Sequence, residues 1–175
     1  MVGDTWIVRW REVLSNTYAA GSIIKTNKDN TVYYKNELMP PGTVIHTWYS
    51  KTHFQFQKIE PMLPLIDGEA AYSITMNMAS TDGQETKTIL RVVFIDRYDN
   101  EFDSIILRDK FSMFKPPITT YSYRIELINS GLADFVFESL ILREVSEGDF
   151  DAYCKQFEKN KKYRKKHKKK STDIQ

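Results

Sequence analysis

The feature that most constrains this chain is a period of two. Along short runs, apolar and polar residues alternate, and the runs are separated by turn-forming residues. Successive strand side chains point to opposite faces, so such a run buries one face and wets the other. Tyr72, Ile74, Met76 and Met78 alternate with Ser73, Thr75, Asn77 and Ala79. Tyr121, Tyr123, Ile125 and Leu127 share one face. After Asn129–Ser130–Gly131 the pattern is continued by Phe135, Phe137 and Ile141. Ile89 to Ile95 is apolar on both faces, which suits a central strand.

The first half follows the same rule. Trp6, Val8 and Trp10 alternate with Ile7, Arg9 and Arg11. Ile23–Ile24 and Val32–Tyr34 flank the polar cluster 27–30 and predict a hairpin. Pro40–Pro41–Gly42 predicts a tight turn, because proline presets φ at the second position and glycine accepts the positive φ of the third. A strand is expected over 43–50 and another around Phe54 and Phe56. Pro61 and Pro64 demote the next stretch to an irregular or edge segment. Tyr98–Glu101 turns the chain into a strand over 102–107. About nine short strands with recurrent turns, and no long amphipathic helix before residue 146, predict an all-β sandwich or jelly roll over residues 1–145.

Near residue 146 the period changes. Phe150, Tyr153, Cys154 and Phe157 are spaced i, i+3, i+4, i+7, one stripe of a helix expected over 146–160 and docked on the sandwich. Ser146 with Asp149 three residues later, or Asp149 itself, is expected to cap its start. The apolar pattern stops beyond Lys159, and 161–175 is expected to be a basic tail, solvated and disordered rather than helical.

Charge divides the chain in the same place. From Lys155 onward there are ten Lys or Arg against Glu158 and Asp173. The remaining 15 basic and 21 acidic residues give the body a net charge of −6, while the whole chain is +2. Lys161, Lys162, Arg164, Lys165, Lys166, Lys168, Lys169 and Lys170 are therefore candidate contacts to an anionic partner. An anionic membrane surface fits them. RNA would satisfy the same charges, but Tyr163 alone gives little of the aromatic interleaving that single strands use. A tail that only solubilises is the third reading.

Catalytic signatures are missing: no G-x-S-x-G, P-loop, G-x-G-x-x-G or H-E-x-x-H occurs. His46 and His53 lack neighbouring cysteines or carboxylates at ligand spacing, so no metal or cofactor is expected. Asp96, Asp99, Glu101 and Asp103 crowd one turn without an EF-hand's spacing, and a solvated turn explains them. Cys154 reads as a small packed residue. The lone cysteine and the charged N-terminal stretch point to a cytosolic chain. Two readings stand for the aromatic strand 43–50: His46, Trp48 and Tyr49 stack on a glycan or touch a partner, or they fill the core.

Leu38-Met39-Pro40-Pro41-Gly42-Thr43-Val44-Ile45-His46-Thr47-Trp48 resembles a signature of the third accessory secretory protein family, part of the accessory Sec system of Gram-positive bacteria. Thr17-Tyr18 leading to Gly21-Ser22, Ile59-Glu60-Pro61-Met62-Leu63-Pro64-Leu65, and Tyr121-Ser122-Tyr123 followed by Leu127-Ile128-Asn129-Ser130-Gly131-Leu132 are similar to the same family, in order over roughly 17–143. The resemblance implies a cytosolic, non-catalytic β-sandwich like a carbohydrate-binding module. It implies two other accessory secretory proteins as partners, and delivery of glycosylated serine-rich-repeat adhesins to a dedicated SecA motor and SecY channel. The basic tail lies outside the resemblance; attachment at the inner face of the membrane is an expectation from charge alone. A free-standing carbohydrate-binding module and a tail-driven RNA- or membrane-associated protein are the alternatives.

Overall fold

The computed structural model describes residues 3–11, 16–51, 61–83, 88–131 and 133–172, with side chains as far as Lys162. Ten strands and one helix are found there: β1 (Thr5–Val8), β2 (Ile23–Thr26), β3 (Val32–Asn36), β4 (Val44–Tyr49), β5 (Ala71–Ser80), β6 (Thr88–Ile95), β7 (Glu101–Leu107), β8 (Phe111–Phe114), β9 (Ser122–Asn129), β10 (Ala133–Val145) and α1 (Glu147–Thr172). The strand expected around Phe54 and Phe56, and His53 with it, lie outside the described residues.

The strands form two antiparallel sheets. One has the order β2-β3-β10-β5-β8, with β1 also paired to β10; the other is β4-β9-β6-β7. β10 has length enough for two partners on one edge, with Ala133–Phe137 against β3 and Leu140–Arg143 against β1. Its other edge pairs with β5 along nearly the whole strand. β6 is central in its sheet and carries apolar side chains on both faces, as its sequence requires.

The core fills the gap between the sheets with Trp10, Tyr34, Phe135 and Phe137 facing Trp48, Val92, Phe94, Ile125 and Leu127. Two bulges alter the alternation read from sequence. One lies between Phe137 and Ser139. It flips the face of β10, so Leu140 and Leu142 point inward and Ile141 does not continue the Phe135–Phe137 face. The other lies between Val44 and His46 and turns Ile45 into the core beside His46. Tyr121 also departs from expectation. It precedes β9 and is exposed, with the Lys51 ammonium 5.5 Å from its ring centroid.

The turns follow their residues. Pro40 C=O accepts the Thr43 N–H at 3.3 Å, and Gly42 has φ 88°, giving the type II turn that Pro-Pro-Gly prescribes. Asn27 closes the 27–30 turn by accepting the Asn30 N–H. β8 has no counterpart in the sequence pattern: it is four residues long, and only its pairing with Tyr72–Thr75 defines it.

α1 starts at a serine N-cap. Ser146 Oγ accepts the Asp149 N–H at 3.1 Å and donates to Asp149 Oδ2 at 2.7 Å. Tyr153 meets Phe111 of β8 edge-on at 6.3 Å, and Lys115 pairs with Glu147. Phe157, one turn further, is already 50% exposed. The helix nevertheless continues to Thr172, past the end at 160 set by the apolar stripe.

Candidate functional site

The most distinctive stretch of the sequence is structural at its aromatic end. Trp48 is fully buried, and its indole N–H donates to the Arg9 C=O at 3.0 Å. His46 is also fully buried, stacked on Trp10 at 4.3 Å, with Nδ1 2.6 Å from Thr17 Oγ1. Burial pushes its pKa down to about 3, so the ring is neutral across the physiological range. Neither ring presents a face to a ligand, and both fill the core. They belong to a packed aromatic cluster with Trp10, Tyr34, Phe135 and Phe137.

Tyr49 points the other way. It lies half-buried on the outer face of the four-stranded sheet, opposite Arg124. This face carries an ion relay. Arg91 holds Glu126 Oε2 through Nε at 2.6 Å and Nη2 at 2.5 Å. Arg124 donates to Glu126 Oε1 at 2.8 Å and to Glu101 at 2.5 Å. The Arg124 hydrogen bond holds the Glu101 carboxyl below its usual range. Because Glu126 is buried and doubly paired, the relay fixes β6, β7 and β9 in register across the face.

A groove forms at one end of the sandwich. It has a volume of about 510 Å³ and is lined by Trp6, Leu65, Tyr72 and Ile118, among others. Leu65 is 81% exposed and Ile118 78%, so two large aliphatic side chains stand at its mouth. Asp4, Asp67 and Glu144 also line it, and no Lys or Arg among the described residues does. The walls are held from within. Tyr123 donates its hydroxyl to the Pro64 C=O at 2.7 Å, and the Asp67 N–H donates to Tyr72 Oη at 2.8 Å. A side chain at Gly68 would meet the Ile118 Cα at 2.7 Å, so glycine lets the two loops touch. Sequence reading missed this site because its members come from four separated segments. The signal that was available lay in Pro64-Leu65 and Pro117-Ile118, apolar residues placed on irregular backbone by a preceding proline.

The remaining candidates lie elsewhere on the surface. Lys161 and Lys162 are exposed on α1. Arg164, Lys165, Lys166, Lys168, Lys169 and Lys170 lie on its backbone, with side chains outside the description. Asp96 closes its own turn by accepting the Tyr98 and Asn100 N–H groups, while Asp99 pairs with Lys51. Among the described residues no group of three or more His, Cys, Asp and Glu could hold a metal ion. No described helix is long and apolar enough to cross a membrane.

A family model described as Accessory Sec secretory system ASP3 matches residues 17–144. The chain belongs to this family. The accessory Sec system protein ASP3 of Streptococcus gordonii is 33% identical over 131 residues, covering 75% of this chain and 81% of that protein. A crystal structure of accessory secretory protein 1, 2 and 3 in Streptococcus pneumoniae contains a similar chain. Its TM-score is 0.74 at 26% identity, over 80% of this chain and 96% of that one. The Glycosylation Associate Protein (Gap123) complex from Streptococcus agalactiae holds another, with a TM-score of 0.73 at 29% identity, over 82% of this chain and 45% of that one. A carbohydrate-binding and catalytic module pair from a Clostridium thermocellum xylanase, 9% identical with a TM-score of 0.50 over 81% of this chain and 28% of that one, shows the sandwich fold alone.

The ASP3 signature stretches share a structural task, since each locks a loop. Asn129 Nδ2 donates to the Met39 C=O at 3.2 Å, its C=O accepts the Gly42 N–H, and its N–H donates to the Thr43 C=O. The Pro-Pro-Gly turn and the Asn-Ser-Gly turn are thereby one unit. Asn36 Nδ2 reaches the Ala20 C=O and Ser22 Oγ, while Tyr34 Oη donates to the Tyr18 C=O, which ties in the Thr17–Ser22 stretch. Met62 and Leu63 both donate N–H groups to the Tyr49 C=O. These hydrogen bonds exchange loop entropy for a rigid frame.

Proposed function

We propose that this chain is a non-catalytic subunit of the accessory Sec export assembly. In this reading its sandwich binds two companion accessory secretory proteins, and the assembly helps deliver glycosylated serine-rich-repeat adhesins to a dedicated SecA motor and SecY channel on the cytoplasmic side of the membrane. The observation that carries the reading is the match to the ASP3 family over 17–144, together with a TM-score of 0.74 to a chain in a structure of accessory secretory proteins 1, 2 and 3.

The groove beside Leu65 and Ile118 is the surface best suited to a companion. Large aliphatic side chains left in water are costly for a lone domain and useful at a contact, where each recovers its burial energy. The three carboxylates around them favour a partner segment that brings apolar and basic side chains together.

The test is a pull-down from the host's cytosol with the full chain, a Leu65→Asp/Ile118→Asp variant and a chain ending at residue 160, read by mass spectrometry. Both companions are expected with the full and shortened chains, and at least about tenfold less of one companion with the double variant. Both sites are exposed, so the thermal midpoint of the double variant should stay near that of the parent. Recovery of no companion by the full chain overturns the subunit reading. Undiminished recovery by the double variant moves the contact away from the groove.

A further inference from the structure

We infer that the C-terminal half of α1 is a purely electrostatic anchor for an anionic bilayer surface. Three observations meet here. The family match ends at residue 144, so α1 lies outside the matched sandwich. Among the described side chains α1 docks at its beginning, where Tyr153 meets Phe111 and Lys115 pairs with Glu147, and the helix then runs on to Thr172 with Lys161 and Lys162 in water. At 1.5 Å per residue the segment from Phe157 to Thr172 projects roughly 20 Å beyond the docked turns. Over that length the chain concentrates its positive charge, whereas the body carries −6.

The pattern of residues selects the partner. Eight basic residues occupy Lys161 to Lys170, seven of them lysine. At 100° per residue they cover about two-thirds of the helix circumference, and the remaining third falls to Asn160, Tyr163, His167 and Ser171, so the sequence offers no aliphatic stripe to enter the acyl region. Binding is therefore adsorption and not insertion. Lysine is a compact point charge without the planar fork that reads phosphates bidentately, which suits a diffuse surface potential better than a defined nucleic-acid groove. The acidic body is repelled by the same surface. The projecting helix carries the basic cluster beyond the sandwich, so the cluster reaches the surface while the acidic body behind it is screened over a Debye length of about 8 Å at physiological salt. The groove and the two sheets are then left free for protein partners.

The full chain is mixed with sedimentable vesicles of phosphatidylcholine alone or of equimolar phosphatidylcholine and phosphatidylglycerol, at low and high salt. Binding is expected only to the anionic vesicles, and high salt should release it. The variant Lys165→Gln/Lys166→Gln/Lys168→Gln/Lys169→Gln should lower the partition coefficient at least about tenfold, since each lysine near an anionic surface is worth roughly a fivefold factor and not all four face it. A duplex RNA added at equal phosphate should leave most of the protein on the vesicles. The inference is overturned if anionic vesicles fail to bind the chain at low salt, if the chain ending at residue 160 binds as well as the full chain, or if the RNA strips the protein from the vesicles. The vesicle assay reads α1 and the pull-down reads the sandwich, so failure of either reading leaves the other standing.

Discussion

At the residue scale, His46 shows how a residue type associated with chemistry can belong wholly to a core. The ring is stacked on Trp10 and bonded to Thr17, and burial, outweighing a backbone hydrogen bond at Trp10, sets its pKa at about 3. That burial fixes the sign of its pH linkage. In the unfolded chain the imidazole titrates near 6.5; in the folded chain it takes up a proton only near 3. Its contribution to stability is thus complete above about pH 6.5 and is lost as the pH falls toward 3, at up to ~1.4 kcal/mol per pH unit. Denaturant unfolding of the parent should lose stability at about that rate between roughly pH 6 and pH 4.5, above the main carboxylate range. The neutral His46→Gln variant, less stable overall, should lose distinctly less per unit over that interval. Equal slopes in the two proteins would show that the folded state accommodates the charged ring. Sequence alone left His46, Trp48 and Tyr49 open between surface and core. Alternation says which residues share a face, while the layer that covers a face is supplied by segments far along the chain, here Trp10, Phe135 and Phe137.

At the element scale, local signals were legible and insertions were not. Pro40–Pro41–Gly42 and the 27–30 cluster prescribe backbone angles through their own covalent geometry, so the turns formed where they were expected. The Phe137/Ser139 bulge inserts a residue with no compositional mark, and it sent Leu140 and Leu142 inward where Ile141 was expected. β8 escaped for a related reason, since four residues carry too little periodicity to stand out. The helix start was legible because a cap is a local bond. Replacing Ser146 by Ala removes the acceptor for the Asp149 N–H. The cost is expected to be about 1 kcal/mol, expressed as faster hydrogen exchange of the amides over 147–150 with little change in the sheets. Exchange unchanged in that turn would mean that the Phe111–Tyr153 contact, and not the cap, fixes where α1 begins.

At the scale of the whole molecule, the chain is an acidic sandwich with a basic extension, and the two should be separable. The core cluster draws on both sheets and on no described side chain of α1, and Phe157 is the last described aromatic side chain of the helix. The charge boundary was visible in the sequence, whereas the length of the helix was not, because a lysine run has no apolar period to mark where a helix ends. Removing residues 161–175 takes away eight basic residues and Asp173. It leaves 17 basic against 22 acidic side chains, so the net charge moves from +2 to −5. The shortened chain should therefore pass through a cation exchanger at neutral pH that retains the full chain through its lysine run, and should bind an anion exchanger. Its thermal midpoint should stay within roughly 2 °C of the parent, because no described core contact is lost and surface charge effects on stability are small. A large drop in midpoint would mean instead that the lysine run folds back on the acidic body and stabilises it, and raising the salt concentration would then erase the difference between the two chains.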